Sequence, residues 1–351
     1  MYSVLASGAA SLAKRAAAGD DGGHKFYQLP PWAYLVLLLT AIAFLPGFLF
    51  VGYTLHGIYP ILAMVEDPHP PAYEPLALNE DADGAPATPG NEPKATTSSL
   101  RRTNRLLFST AGWRANFRGL LCYLCIALCT SIVTGIFTAI PFVPSLVGVL
   151  LAGLALVQLT TAWVHIVVSV PSSLPFWKRL PPFRRTFEAT CVPVFVNWAA
   201  SSALGLIVWL TAAGLKLPVW DYKRPNEVPV GDSSMIWKDI VVILVFVAFT
   251  ALVVVPTQAV LIRVQASLLP PDADTIVPLD RSFGGVVEPL IVGGKGYASW
   301  MAAFNTFPRS SWIRLYILYA KIALVTIAFY GLVIAVIVPE VVLMSNKTKR
   351  N

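Results

Sequence analysis

Residues 119–168 run for fifty positions without a charged side chain, and only His165 among them could carry one. Pro141-Phe-Val-Pro144 interrupts the run near its middle. A helix rises about 1.5 Å per residue, so about 20 apolar residues cross the ~30 Å hydrocarbon core of a bilayer. A run this long with one Pro-x-x-Pro break therefore predicts two spans and a tight turn. The same pattern gives a first span over 33–54, entered through Pro30-Pro31-Trp32 and expected to kink at Pro46-Gly47. A fourth span follows over 191–214, a fifth over 239–262, and a sixth over 312–338 that stops at Pro339. The expected fold is all-α, a polytopic integral membrane protein with about six transmembrane helices.

The polar stretches divide the rest. Residues 1–32 form an N-terminal arm; Lys14-Arg15 and the lack of acids before Asp20 also fit a short mitochondrial presequence or a dibasic processing site. Residues 55–118 read as a loop, first acidic and Pro-rich, then basic. From Glu66 to Glu92 it holds seven of the 19 acidic residues among repeated prolines, with little to bury, so disorder is expected. From Lys94 to Arg118 it turns basic, with Leu106, Leu107, Phe108 and Trp113 interleaved, the composition of an interfacial segment. A short loop at 169–190, a polar loop at 215–238, a semi-polar loop at 263–311 and a basic tail at 339–351 complete the chain.

Composition sharpens this picture. At 56% hydrophobic and 13% charged, the chain is too apolar for a soluble domain. The net charge of +7 and the pI near 9.2 do not indicate nucleic acid, because the basic residues flank apolar spans, where they set topology and meet anionic headgroups. The loops at 55–118, 169–190 and 263–311, with Arg314, hold more than half of the 26 Lys and Arg. That places these loops in the cytosol and both termini outside or in a lumen, although the flanks of the first span alone read the other way. An endomembrane location follows, with a mitochondrial membrane as the alternative.

Candidate chemistry is sparse. Pro70-Pro71-Ala72-Tyr73 has the form of a WW-domain ligand, in which prolines preform a polyproline II helix and an aromatic groove takes the proline and tyrosine faces. A solvated, stiffened linker is the plainer reading. Lys321 and His165 are ionisable groups in or near spans, and buried charge marks candidate transport or partner contacts. His165 is near enough to a helix end to meet headgroups, and lysine snorkels well. Cys122, Cys125 and Cys129 share a helix face without further ligands nearby, so no metal site is called. Cys122, four residues after Arg118, is a palmitoylation candidate, with apolar packing as its plainer role. No acid–base constellation is present and no cofactor is called for. One internal echo relates residues 164–187 to 260–283: Pro-Phe-Arg-Arg-Thr-Phe at 182–187 matches Pro-Leu-Asp-Arg-Ser-Phe at 278–283, each expected to lead from a loop into the next element. A duplicated helical unit would explain it.

The opening Met1-Tyr-Ser-Val-Leu-Ala-Ser-Gly-Ala-Ala-Ser-Leu-Ala-Lys-Arg and the stretch Met64-Val-Glu-Asp-Pro-His-Pro-Pro-Ala-Tyr-Glu-Pro-Leu-Ala-Leu-Asn-Glu resemble a family of filamentous-fungal polytopic membrane proteins often labelled "ubiquitin carrier protein". That resemblance implies a membrane protein over most of the chain but no established activity. The label fits poorly, because the chain has no His-Pro-Asn motif and its cysteines fall in or at spans. The leading expectation is a non-enzymatic scaffold or adaptor whose Pro-Pro-x-Tyr loop recruits a WW-domain protein. In fungi the membrane-acting class of such proteins is the HECT-type ubiquitin ligases. The alternative is a small-molecule or lipid transporter built on the duplicated unit, with Lys321 in its path.

Overall fold

The structure is a computed structural model that describes residues 31–67, 96–217, 235–288 and 293–348. Most of those residues are helical, the exceptions including the connections at 169–175 and 268–288. Among the described residues five helical stretches are long and apolar enough to cross a membrane, or six when two helices bent 59° against each other are counted as one span. The fold class expected from the pattern is therefore the one observed.

The first stretch is α1 (Pro31–Leu49), a π-helical segment (Phe50–Ile58) and α2 (Tyr59–Val65). It passes through Pro46 as an α-helix and ends eleven residues beyond the expected Thr54. Every residue of α2 is buried. The expectation of a loop from residue 55 is thus corrected: the apolar run 58–65 packs, and the expected disorder falls largely on residues 68–95, which lie outside the described residues. The basic half of that expected loop is also ordered, as a turn (Thr96–Ser98), α3 (Leu100–Ala111) and a 3-10 segment (Gly112–Phe117).

The long uncharged run folds as α4 (Leu120–Thr138), a turn at 139–144, and α5 (Ser145–Ala155) with α6 (Val157–Val168), which are the bent pair. Gly148 lets α4 and α5 close together, since a Cβ there would lie 2.8 Å from Thr138 Cγ2. α7 (Phe183–Gly214) follows. α8 (Ile236–Phe249), a second π segment (Thr250–Val254) and α9 (Val255–Ser267) make the fifth span. A short α10 (Trp300–Asn305) precedes α11 (Arg309–Thr348), which runs through Pro339 instead of ending there. Membrane helices tolerate proline because neighbours satisfy the freed carbonyl.

Each π segment ends two residues before a proline, Pro60 or Pro256. Proline has no N–H and crowds the carbonyl four residues back. Widening the preceding turn to i→i+5 bonding relieves that crowding.

The chain forms two compact units. The larger comprises Phe50–Ser202 and Ala251–Ala323. In it α2, α6 and α9 pack on one another, and α9 packs on α10. Val260, Val264, Leu268, Phe283, Ala298 and Ala303 are buried together. The segments after α6 and α9 meet in an antiparallel bridge between Ser169 and Thr275, with Val170 N donating to Asp274 O at 2.8 Å and Ile276 N to Val168 O at 2.9 Å. Asp67 N donates to Pro278 O at 2.8 Å. The ends of α2, α6 and α9 therefore sit together. That requires an even number of crossings between them, as results when α5 and α6 are counted as one span.

The smaller unit comprises Met1–Leu49, Ala203–Thr250 and Leu324–Asn351. Here Phe44 and Phe48 meet Phe329 edge-on, at 6.2 and 5.2 Å between centroids. Thr40 Oγ1 donates to Glu340 Oε1 at 2.8 Å. A Cβ on Gly47 would lie 2.5 Å from Phe329 Cε2, so only glycine fits this approach. Gly47→Val is expected to destabilise the purified protein by about 1–3 kcal/mol, read as a lower thermal midpoint in detergent. Adding Phe329→Ala is expected to restore part of that loss, and a Gly47→Val chain as stable as the wild type would contradict the packing.

Candidate functional site

The polar groups of the larger unit converge where the first span ends. Glu66 follows α2, its N–H bonded to Leu62 O at 2.9 Å, and it is 1% exposed. Its Oε1 accepts from Thr96 N at 2.6 Å, and its Oε2 from Thr97 N at 3.1 Å and from the Thr97 hydroxyl. Arg314 Nη1 lies 3.2 Å from Oε2, while Nη2 donates to Glu66 O at 2.9 Å. A buried ion pair survives only when further hydrogen bonds offset its desolvation. Here backbone N–H groups at the start of a helical turn supply them. The consequence is positional: residues 67 and 96, which flank the Pro-rich acidic stretch, are held at one clasp.

Arg263 lies beside it. This residue of α9 is 8% exposed, and its guanidinium is 4.9 Å from the ring centres of both Phe283 and Phe307. Nε donates to Ala303 O at 3.0 Å, Nη1 to Met64 O at 3.3 Å and Nη2 to Thr306 Oγ1 at 2.9 Å. Next to it is a cavity of about 350 Å³ whose polar wall is Asp67, Arg263, Asp280 and Thr306. Asp280 closes its own turn, accepting from Ser282 N at 2.8 Å, Ser282 Oγ at 2.6 Å and Gly284 N at 2.6 Å. Burial alone would push its carboxyl up. The Ser282 and Gly284 bonds and the Arg263 charge outweigh that and hold it below the usual carboxylate range. The Arg263 donors are committed to the fold, so the arrangement fixes elements in place. No group of three or more His, Cys, Asp or Glu that could hold a metal occurs among the described residues.

The residues singled out from the sequence are not brought together. Pro70, Pro71 and Tyr73 lie outside the described residues. Lys321 Nζ donates to Ser98 O at 3.0 Å, so its charge is spent on the turn before α3. His165 is 3% exposed, and its Nε2–H donates to Gln265 O at 2.8 Å. That corrects the expected headgroup contact, because the ring bridges α6 and α9. Cys122 is 1% exposed with its thiol 3.8 Å from Leu159 O, the position of a packing residue and not of an acylated one. Cys125 and Cys129 sit 3.9 Å apart, Sγ to Sγ.

Sequence reasoning missed Glu66, Arg118, Arg263 and Arg314. Arg118 Nε donates to Ile166 O at 3.0 Å and its Nη2 to Ser169 O, tying the start of α4 to the end of α6. The available signal was an arginine among apolar neighbours, as in Leu-Ile-Arg263-Val.

No protein-family model, curated protein or solved structure matches the chain.

Glu66→Gln leaves Arg314 buried without its counter-charge and is expected to cost about 3–5 kcal/mol. Thermal unfolding of the detergent-solubilised chain measures this. The double variant Glu66→Leu with Arg314→Met is expected to recover only the part due to the unpaired charge, because Thr96 and Thr97 still lose their acceptor. A Glu66→Gln protein as stable as wild type would remove the clasp from the account.

Proposed function

We propose that the protein is a non-enzymatic scaffold or adaptor of an endomembrane, whose Pro70-Pro71-Ala72-Tyr73 segment recruits a WW-domain protein, a HECT-type ubiquitin ligase being the class that fits. One observation carries this reading. Glu66 holds Thr96 and Thr97 at the end of α2, so the stretch at 68–95 begins and ends at one rigid, buried anchor. A short linear motif gains from such a base, because closing the ends of a long loop once, in the fold, removes that entropy from each binding event. The excess of Lys and Arg in the loops on this side supports a cytosolic display.

The transport reading has less support. Its candidate Lys321 is bonded to the Ser98 carbonyl, and Arg118, Arg263 and Arg314 donate to backbone carbonyls.

Co-purification with quantitative mass spectrometry, comparing tagged wild type with Tyr73→Ala, tests the proposal. A WW-domain ligase recovered with the wild type and depleted at least about tenfold with Tyr73→Ala is the expected outcome. Identical partner lists would sink the adaptor role.

A further inference from the structure

α3 carries two unlike faces. Thr103 and Leu107, 1% and 0% exposed, lie inward. On the opposite arc Arg101, Arg105 and Phe108 fall at i, i+4 and i+7, with Arg102 beside them, and all four are exposed. Phe108 is 59% exposed, and beyond the helix end Trp113 is 65% exposed next to exposed Arg114. Among the described residues none of these four arginines forms an ion pair. Water alone does not account for a face that combines large aromatics with unopposed cations.

The fold fixes the height of this face. Gly112, at φ +62°, turns the chain back on α3, and Asn116 Nδ2 donates to Asn104 Oδ1 at 3.1 Å to hold the fold-back. Arg118 is pinned to the end of α6, Gly119 turns at φ +72°, and α4 starts at Leu120 with Leu121 74% exposed on the lipid side. The 19 residues of α4 cover about 28 Å, the thickness of the hydrocarbon. Trp113 and Arg114 therefore stand at headgroup depth, and α3 is held next to them. Aromatic rings and arginine stems suit that zone, with guanidinium groups reaching phosphates.

We infer that the outer face of α3, with Trp113 and Arg114, is a binding surface for anionic phospholipid headgroups of the adjoining leaflet. Each arginine near such a surface contributes about 1 kcal/mol, a factor of about five. The preference is electrostatic and falls with salt.

The test uses the full-length chain reconstituted in phosphatidylcholine vesicles with spin-labelled phosphatidylserine or phosphatidylcholine as probe. Electron spin resonance reads the ratio of protein-associated probe. The wild type is expected to favour the serine lipid, the ratio falling toward one in 1 M salt. The R101Q/R102Q/R105Q variant is expected to lose the preference at least about fivefold at the affected sites, and R101K/R102K/R105K to keep it. A wild-type ratio of one, or a glutamine variant matching wild type, would overturn the inference. So would a preference that emerges only when residues 68–95 are deleted, since the chain's own acidic stretch would then be the occupant.

Discussion

The ion pair between Glu66 and Arg314 is the constraint on which the larger unit depends. A carboxylate and a guanidinium with side chains 1% and 9% exposed are costly to leave without partners. Thr96 and Thr97 complete Glu66, and the Glu66 carbonyl takes Arg314 Nη2, groups at the start of one turn and the end of one helix, while Arg314 Nε has no partner among the described residues. Desolvating the pair is therefore offset only if α2, the turn before α3 and the start of α11 arrive together. Burial of every side chain in α2 follows from the same assembly.

Two other arginines are held by helix-end carbonyls. Arg118 serves the last carbonyls of α6, and Arg263 serves Met64 O in the last turn of α2. The last carbonyls of a helix lack intrahelical partners and carry the negative end of its dipole, so a cation is favoured there. Basic residues that a count of charges treats as topology markers thus also act as struts between helix ends. The two roles agree, because helix ends on one side of a membrane are where such residues are both retained and needed.

Much of this was legible. Apolar run lengths set the number of crossings, and Pro141 and Pro144 located the hairpin turn. Hidden features were those decided by distant partners. The bend between α5 and α6 at Leu156 has no proline; Gln158 Nε2, just after it, donates to Pro181 O at 2.7 Å. The internal echo also diverges for a definable reason. Residues 182–187 enter α7, but 278–283 form a turn instead of starting a helix. Asp280 stands where the first copy has Arg184, and its short carboxylate captures the N–H groups of Ser282 and Gly284. That competes with helix initiation in a way arginine cannot. At the candidate site the pairing of Glu66 was not legible, because nothing near it in sequence announces Arg314.

One feature of α11 reaches beyond the protein to its bilayer. Lys321 and Glu340 both hold polar partners, Ser98 O and the Thr40 hydroxyl, and between them the helix is apolar. That interval is about 27 Å along the axis, close to the length of α4. A hydrophobic stretch shorter than the hydrocarbon must thin the lipid around it or pull its polar ends inward, at fractions of a kcal/mol per Å. Polar groups bonded at both ends of this apolar interval favour membranes whose hydrocarbon is about that thick. In thicker ones mismatch would load both hydrogen bonds at once.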